Sequence, residues 1–246
     1  DIHPKHKRPA LEIILGTLHA GGKFGGDNYK VSGGLHGVGS SVVNALSELV
    51  EVRVLRDGFE HTQEYSRGTP ISKLKKGAPT RKHGTQIHFR PDPQIFGDRK
   101  FDVDTVRERL EAKAYLHAGL VISFKDEATG ESLEICHPAG IADYLPKLIA
   151  ERGRGINHPA PFYFSKENGM RLEVVLQWTD ATDALLRSYA NGIPTPNGGT
   201  HESGFASAIV KAVRSFMEAK KIQPKGVTLT HGNLAAATST GGMTGK

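Results

Sequence analysis

Cysteine is almost absent from this chain: Cys136 is the single one in 246 residues. That excludes an internal disulfide framework and fits a reducing compartment such as the cytoplasm. Its place in the run Leu133-Glu134-Ile135-Cys136 suggests a buried structural thiol. Long apolar runs are missing too. None approaches the ~18–20 residues that cross a bilayer, so no membrane role is expected. The opening residues Asp1-Ile2-His3-Pro4-Lys5-His6-Lys7-Arg8 do not form the charged-then-apolar pattern of a signal peptide. His3 and His6 have Pro and Lys as flanks and no acidic or Cys partner at ligand spacing, so no metal site is expected there. Charge of one sign is not concentrated. Lys and Arg number 32 against 26 Asp and Glu, a net charge of +6 with a pI near 9.3. This permits contact with nucleic acid without requiring it. The densest basic group, Lys73, Lys75, Lys76, Arg81 and Lys82, reads as a solvated hairpin loop.

Glycine, by contrast, is plentiful, with 29 residues. Four of them fall within the seven positions Gly33–Gly39 of Lys30-Val31-Ser32-Gly33-Gly34-Leu35-His36-Gly37-Val38-Gly39. An apolar-periodic segment, Val42-Val43-Asn44-Ala45-Leu46, follows directly. Glycines at this density let backbone N–H groups approach a ligand unhindered. A helix that starts there directs unpaired N–H groups and a partial positive charge at the same place, which suits an anion such as phosphate. A plain surface loop is the other reading of such a run. The spacing fits neither G-x-x-x-x-G-K-[ST] nor G-x-G-x-x-G. Thr240–Lys246 imitates the former, but Thr240 stands where its first glycine belongs and no strand or helix pattern flanks it.

The remaining pattern mixes helices with short antiparallel strands, which gives the α+β class. Helical periodicity marks residues 8–20 (Leu11, Ile14, Leu15, Leu18), 38–47, 101–116 with Asp102 or Asp104 as N-cap, 140–150, and 205–220 with Phe205, Ile209, Val213 and Phe216 on one face. Strands are expected at 49–55, 61–66, 71–75, 85–90, 120–125, 132–137, 162–164, 172–178 and 185–190, with Arg56-Asp57-Gly58 as a hairpin turn. The polar stretch 151–159 marks a domain boundary. From His231 the sequence is small, polar and aperiodic, and reads as disordered.

Three blocks carry a resemblance. The glycine run, the block Leu18-His19-Ala20-Gly21-Gly22-Lys23-Phe24 and the block Gly198-Gly199-Thr200-His201-Glu202-Ser203-Gly204-Phe205 stand in the order seen in the DNA gyrase B and topoisomerase IV B family. The chain resembles that family over about residues 1–228. The resemblance implies a Bergerat (GHKL) ATPase fold, incomplete at its N-terminus, over residues 1–155. The start of a ribosomal-protein-like βαβ transducer domain follows over 156–228, and residues 229–246 form an unassigned tail. It further implies Mg²⁺ and ATP as cofactors, and DNA, gyrase A and a B-subunit homodimer as partners in the cytoplasm. By motif position, Gly34, Leu35, His36, Gly37, Val38 and Gly39 would hold the phosphates, with Lys30 and Lys23 supplying charge. Thr85, in His83-Gly84-Thr85-Gln86-Ile87, would line the adenine pocket, and Arg56 would stand at the inhibitor-binding mouth.

Other readings of the same residues stay open: Lys23 as a solvated loop lysine, Thr85 as an ordinary strand residue, Arg56 as a hairpin residue, and His201 with Thr200 as structural. The family's general-base glutamate, its Mg²⁺-holding asparagine and its adenine-binding aspartate would precede Asp1, and its Gln-Thr-Lys loop has no counterpart here. No catalytic residue and no metal ligand is therefore assigned, and hydrolysis by this chain alone is not expected. A degenerate ATP-binding or interaction module, or a topoisomerase IV B segment, is the competing reading.

Overall fold

In the computed structural model, residues 2–3, 6–20, 36–181 and 183–222 are described. The chain divides into two compact units, residues 1–101 and 102–246.

In the first unit, α1 (Ala10–Gly16) and α2 (Gly39–Ala45) accompany an antiparallel sheet of β1 (Ser47–Arg56), β2 (Phe59–Ser66), β3 (Thr69–Pro70), β4 (Lys75–Pro79) and β5 (Gly84–Pro91). β1 is flanked by β2 on one side and β5 on the other, and β3 and β4 pair in turn with the far edge of β2. Asp57 and Gly58 both have positive φ, 54° and 80°, the geometry an Asp-Gly hairpin demands. Val50 lies opposite Tyr65 and Val52 opposite Gln63. Leu15 of α1 packs on Val50, Val52 and Tyr65, with Leu11 and Val54 at the margin. The buried Tyr65 hydroxyl donates to Gln63 Oε1 at 2.9 Å, and the Gln63 amide donates to Glu12 Oε1 and to the Ser72 carbonyl. Burial pushes the Tyr65 phenol pKa up.

Two expectations fail here. The first helix ends at Gly16, not near residue 20, because Gly16 and the β-branched Thr17 are poor helix formers and Thr17 is already extended. Residues 71–74 form no strand. There Ser72 stands in for pairing: its hydroxyl accepts from the Glu64 N–H and its carbonyl from Gln63.

A short helix that the sequence reading omitted, α3 (Pro93–Phe96), follows β5. Asp92 caps it by accepting from the Gln94 N–H, and Pro93 takes the first helical position, where an N–H would be unpaired anyway. The buried Asp92 carboxylate also accepts two bonds from the Arg67 guanidinium. Backbone bonds from Arg67 to Ser47, Gly68 to Asn44 and Asp92 to Leu46 bring the same segments together. The Arg67 bond first, then that from Gln94, hold the Asp92 pKa below the usual carboxylate value. The folded pKa is depressed, so this stabilisation is full above the unfolded value near 3.8 and disappears as pH falls through the lower folded value. Asp92→Asn is expected to lower the melting temperature at pH 7 and to narrow the difference between melts at pH 7 and pH 3. An unchanged difference would refute this.

The second unit runs α4 (Val103–Leu116), β6 (Ile122–Lys125), β7 (Ser132–Ile135), α5 (Ile141–Glu151), β8 (Phe162–Glu167), β9 (Arg171–Leu176), β10 (Tyr189–Ala190), β11 (Ile193–Pro194) and α6 (Thr200–Lys220). The Asp102 carboxylate caps α4 by accepting from the N–H groups of Asp104 and Thr105. β6–β7, β8–β9 and β10–β11 are antiparallel hairpins. Ile141 and Leu145 of α5 pack on Val175 of β9, with Leu116 and Ile149 beside them. The expected boundary at 155/156 falls within this unit, between α5 and β8. The strand expected over 185–190 shrinks to Tyr189–Ala190, because its partner is the two-residue strand Ile193–Pro194 across a tight turn. On α6 the expected apolar face is only partly covered: Phe205, Ile209 and Val213 are half-buried, Phe216 is exposed, and the buried residue is Val210, outside that face. Cys136, just after β7, is half-buried instead of fully enclosed. The tail from His231 lies outside the described residues.

Candidate functional site

The glycine run enters the described structure at His36. Gly37 has φ 60°, a left-handed conformation that a β-branched residue avoids. Val38 then occupies the N-cap position and Gly39 begins α2, so the chain turns sharply into a helix where the sequence predicts it. The His19 ring Nδ1 lies 2.8 Å from the His36 carbonyl oxygen. Lys23, Lys30, Gly34 and Leu35, the other residues expected at the phosphates, lie outside the described residues.

α2 has two unlike faces. Ser41 and Asn44 are buried, while Val42, Val43 and Leu46 are exposed at 39%, 41% and 36%. This inverts the ordinary arrangement of an amphipathic helix. The exposed apolar face borders a groove of about 240 Å³ that is also lined by Phe89 and Pro91 of β5, by Phe96 of α3, and by Phe101. Phe89 and Phe101 meet edge to face at 5.9 Å. Arg99 and Lys100 give this groove its cationic lining, and among the described residues no carboxylate lines it.

Thr85 lies on β5 opposite Val54, Ile87 opposite Val52 and Phe89 opposite Val50. Residues opposite one another across an antiparallel pair share a face. Thr85, Ile87 and Phe89 are therefore on the face that carries Val50 and Val52, yet all three are exposed. Thr85 is not in the groove lining; at ~3.4 Å per residue it stands roughly 14 Å along the strand from Phe89. Arg56 ends β1 beside the Asp57-Gly58 turn, exposed, with its guanidinium 3.5 Å from the Asp57 carboxylate. Val42, Val43, Phe89, Phe96 and Phe101 line the groove without being among the residues expected at a site. The alternation Thr85, Ile87, Phe89 was the available signal.

In the second unit, Thr200 starts α6 and the His201 ring Nε2 lies 3.2 Å from the Thr195 hydroxyl. Thr195 touches Ser188, and Ser188 donates to Glu202. The Gly-Gly-Thr-His block thus ties the start of α6 to the β10–β11 hairpin.

A family model described as DNA gyrase B matches residues 140–237. The DNA gyrase B protein of Enterococcus faecalis is 43% identical over 225 residues, covering 90% of this chain and 35% of that protein. The chain belongs to the DNA gyrase B family. The topoisomerase 4 B protein of Caulobacter vibrioides is 40% identical over 253 residues, covering 96% of this chain and 36% of its own length. The crystal structure of the 43K ATPase domain of Thermus thermophilus gyrase B, in complex with an aminocoumarin, matches with a TM-score of 0.81 at 31% identity. It covers 99% of this chain and 66% of the solved one. The α+β fold is accordingly that of the gyrase B ATPase region, and the family is one of type II topoisomerase subunits. The chain spans about a third of the length of the curated relatives it matches.

Proposed function

We propose that this chain is an ATP-binding segment of a gyrase-type B protein. Residues 1–155 would be ATPase domain, 156–228 the start of a transducer domain and 229–246 an unassigned tail. The observation that carries the reading is the turn at Gly37, which feeds α2 beside an apolar groove in a chain of this family. Backbone N–H groups of His36, Gly37, Val38 and Gly39 suit the phosphates, and Thr85 suits a hydrogen bond to adenine or to a water on it. Lys23, Lys30, Gly34 and Leu35 complete the assignment from sequence alone. Arg56, at the β1–β2 turn, is assigned to the mouth where inhibitors of the family stack.

Bound ATP would supply a phosphoanhydride whose hydrolysis drives conformational work in the complete protein. Among the described residues no group of three or more His, Cys, Asp or Glu side chains is placed to hold a metal. Mg²⁺ would sit on the nucleotide phosphates and keep several of its waters, with no residue of this chain assigned to it. No general base is assigned, and the chain alone is read as binding ATP without turning it over. A base or an electrostatic stabiliser each contributes ~10²–10⁴-fold or ~10²–10³-fold to rate. In the complete protein the segment would couple ATP to DNA strand passage in the cytoplasm, its partners being DNA, gyrase A and a second copy of gyrase B. Among the described residues no helix is long and apolar enough to cross a membrane.

The test is equilibrium titration with a fluorescent, non-hydrolysable ATP analogue and Mg²⁺, alongside a steady-state phosphate-release assay. Saturable binding competed by ATP, with no release above background, is expected. No competable binding would overturn the ATP reading. Release at the rate of an intact ATPase domain would overturn the assignment of binding without turnover.

A further inference from the structure

The turn at His36–Gly39 is short, and something must hold it at a fixed place. α2 is only seven residues long and leaves its apolar face exposed, so hydrophobic burial of that face cannot fix its position. Its other face makes directional contacts instead. Ser40 donates from Oγ to the Ile14 carbonyl at 3.1 Å, and Asn44 donates from Nδ2 to the Leu15 carbonyl at 3.0 Å. Both carbonyls belong to the last turn of α1, where a helix leaves its C=O groups without intrahelical partners. Ser40 and Asn44 are four residues apart and so lie one above the other on the same side of α2. Asn44 is fully buried, and its own carbonyl accepts from the Gly68 N–H at 3.0 Å. One helix thus caps the C-terminal end of the other through side chains, in a place where the buried amide of Asn44 is shielded from competing water.

We infer that Ser40 and Asn44 are positioning residues: they clasp α2 to the end of α1 and thereby set where the backbone of His36–Gly39 stands. The inference rests on the reading of that backbone as an ATP contact, but the clasp itself does not. An attachment of this kind keeps N–H groups in place before the ligand arrives, so less order is lost on binding. The Ser40 hydroxyl is exposed and can be removed without leaving a cavity, which makes it the clean test. Asn44→Asp keeps the shape and removes the N–H donors, so that a carboxylate faces the Leu15 carbonyl.

The experiment measures amide hydrogen exchange over residues 42–46, where the hydrogen-bonded N–H groups of α2 begin, in the full 246-residue chain without nucleotide, and then the affinity of the fluorescent ATP analogue with Mg²⁺. Ser40→Ala is expected to speed exchange over 42–46 about five-fold, the size of one ordinary hydrogen bond, with β1 and β2 unchanged. Asn44→Asp is expected to do so more strongly, and Ser40→Thr, which keeps the hydroxyl, to restore the parent rate. Analogue affinity is expected to fall by the same factors. Unchanged exchange over 42–46 in both Ser40→Ala and Asn44→Asp would overturn the clasp. Faster exchange with unaltered analogue affinity would overturn the positioning role. Failure of the parent chain to bind the analogue would fall on the ATP reading alone, with the exchange result still deciding the clasp.

Discussion

Gly37→Val will reduce the affinity of this chain for an ATP analogue on the order of ten-fold or more, while leaving the β1–β2–β5 sheet folded. Gly37 has φ 60°. A β-branched residue there is a genuine outlier, because its Cβ substituents meet the backbone on both sides. Holding it in that conformation costs about 1–3 kcal/mol. The chain has a cheaper option, which is to let residues 36–39 relax to negative φ and so rotate the peptide planes on either side. The N–H groups then no longer point together, and a loss of about 1.4 kcal/mol in binding is already ten-fold. Gly37→Ala, with a single extra carbon, should fall between parent and valine variant. Circular dichroism and thermal melting of the variants separate this local effect from unfolding. A valine variant that binds with parental affinity would remove Gly37 from the site.

The parts of this fold that were legible in the sequence are those decided within a few residues. Asp57-Gly58 can make one kind of tight turn, and it does. Asp102 before an apolar-periodic stretch is a cap, and it accepts from Asp104 and Thr105. The glycines before Val42 announce a turn into a helix, and Gly37 and Gly39 make it. Asp92-Pro93 carried the same kind of local signal for α3, which the sequence reading passed over. What was not legible depends on which neighbour wins a side chain. Val42, Val43 and Leu46 look like a core stripe, yet the partner of α2 is the end of α1, whose bare carbonyls select Ser40 and Asn44. The apolar stripe is left to border a groove. Ile71–Lys75 has strand-like residues, but Ser72 supplies both a hydroxyl and a carbonyl to β2 and displaces regular pairing until Lys75. Site residues follow the same division. His36, Gly37, Val38 and Gly39 come as one run and are found as one turn. Thr85 and Arg56 could be placed on a strand and at a hairpin end, but not related to the groove, because that relation depends on sheet register.

The largest loss of stability from a single truncation is expected at Leu145. It is 1% exposed and sits where α5 meets β9, against Ile141 and Val175, with Leu116 and Ile149 alongside. Removing a buried leucine side chain forfeits its transfer free energy and leaves a cavity that neighbours fill only in part, at a cost of about 2–5 kcal/mol. The neighbours here are poorly able to collapse inward. Val175 is held by pairing with Tyr163 across the β8–β9 hairpin, and Ile141 opens α5 directly after Gly140. Gly140 itself is closely packed, since a Cβ there would lie 3.0 Å from Ala118 Cβ and 3.1 Å from the Tyr115 carbonyl. Leu145→Ala should therefore fall in the upper part of that range. Trp178, the only tryptophan in the chain, follows β9, and its backbone N–H donates to His158 Nε2 at 3.0 Å, so its fluorescence reports unfolding of this unit in urea. Phe164→Ala on the neighbouring β8 provides the contrast. Its ring is 41% exposed and lies across from Val174, so its loss should cost well under the Leu145 value, about 1 kcal/mol at most. If the two variants unfold at the same urea concentration, the α5–β9 contact is not what holds this unit together.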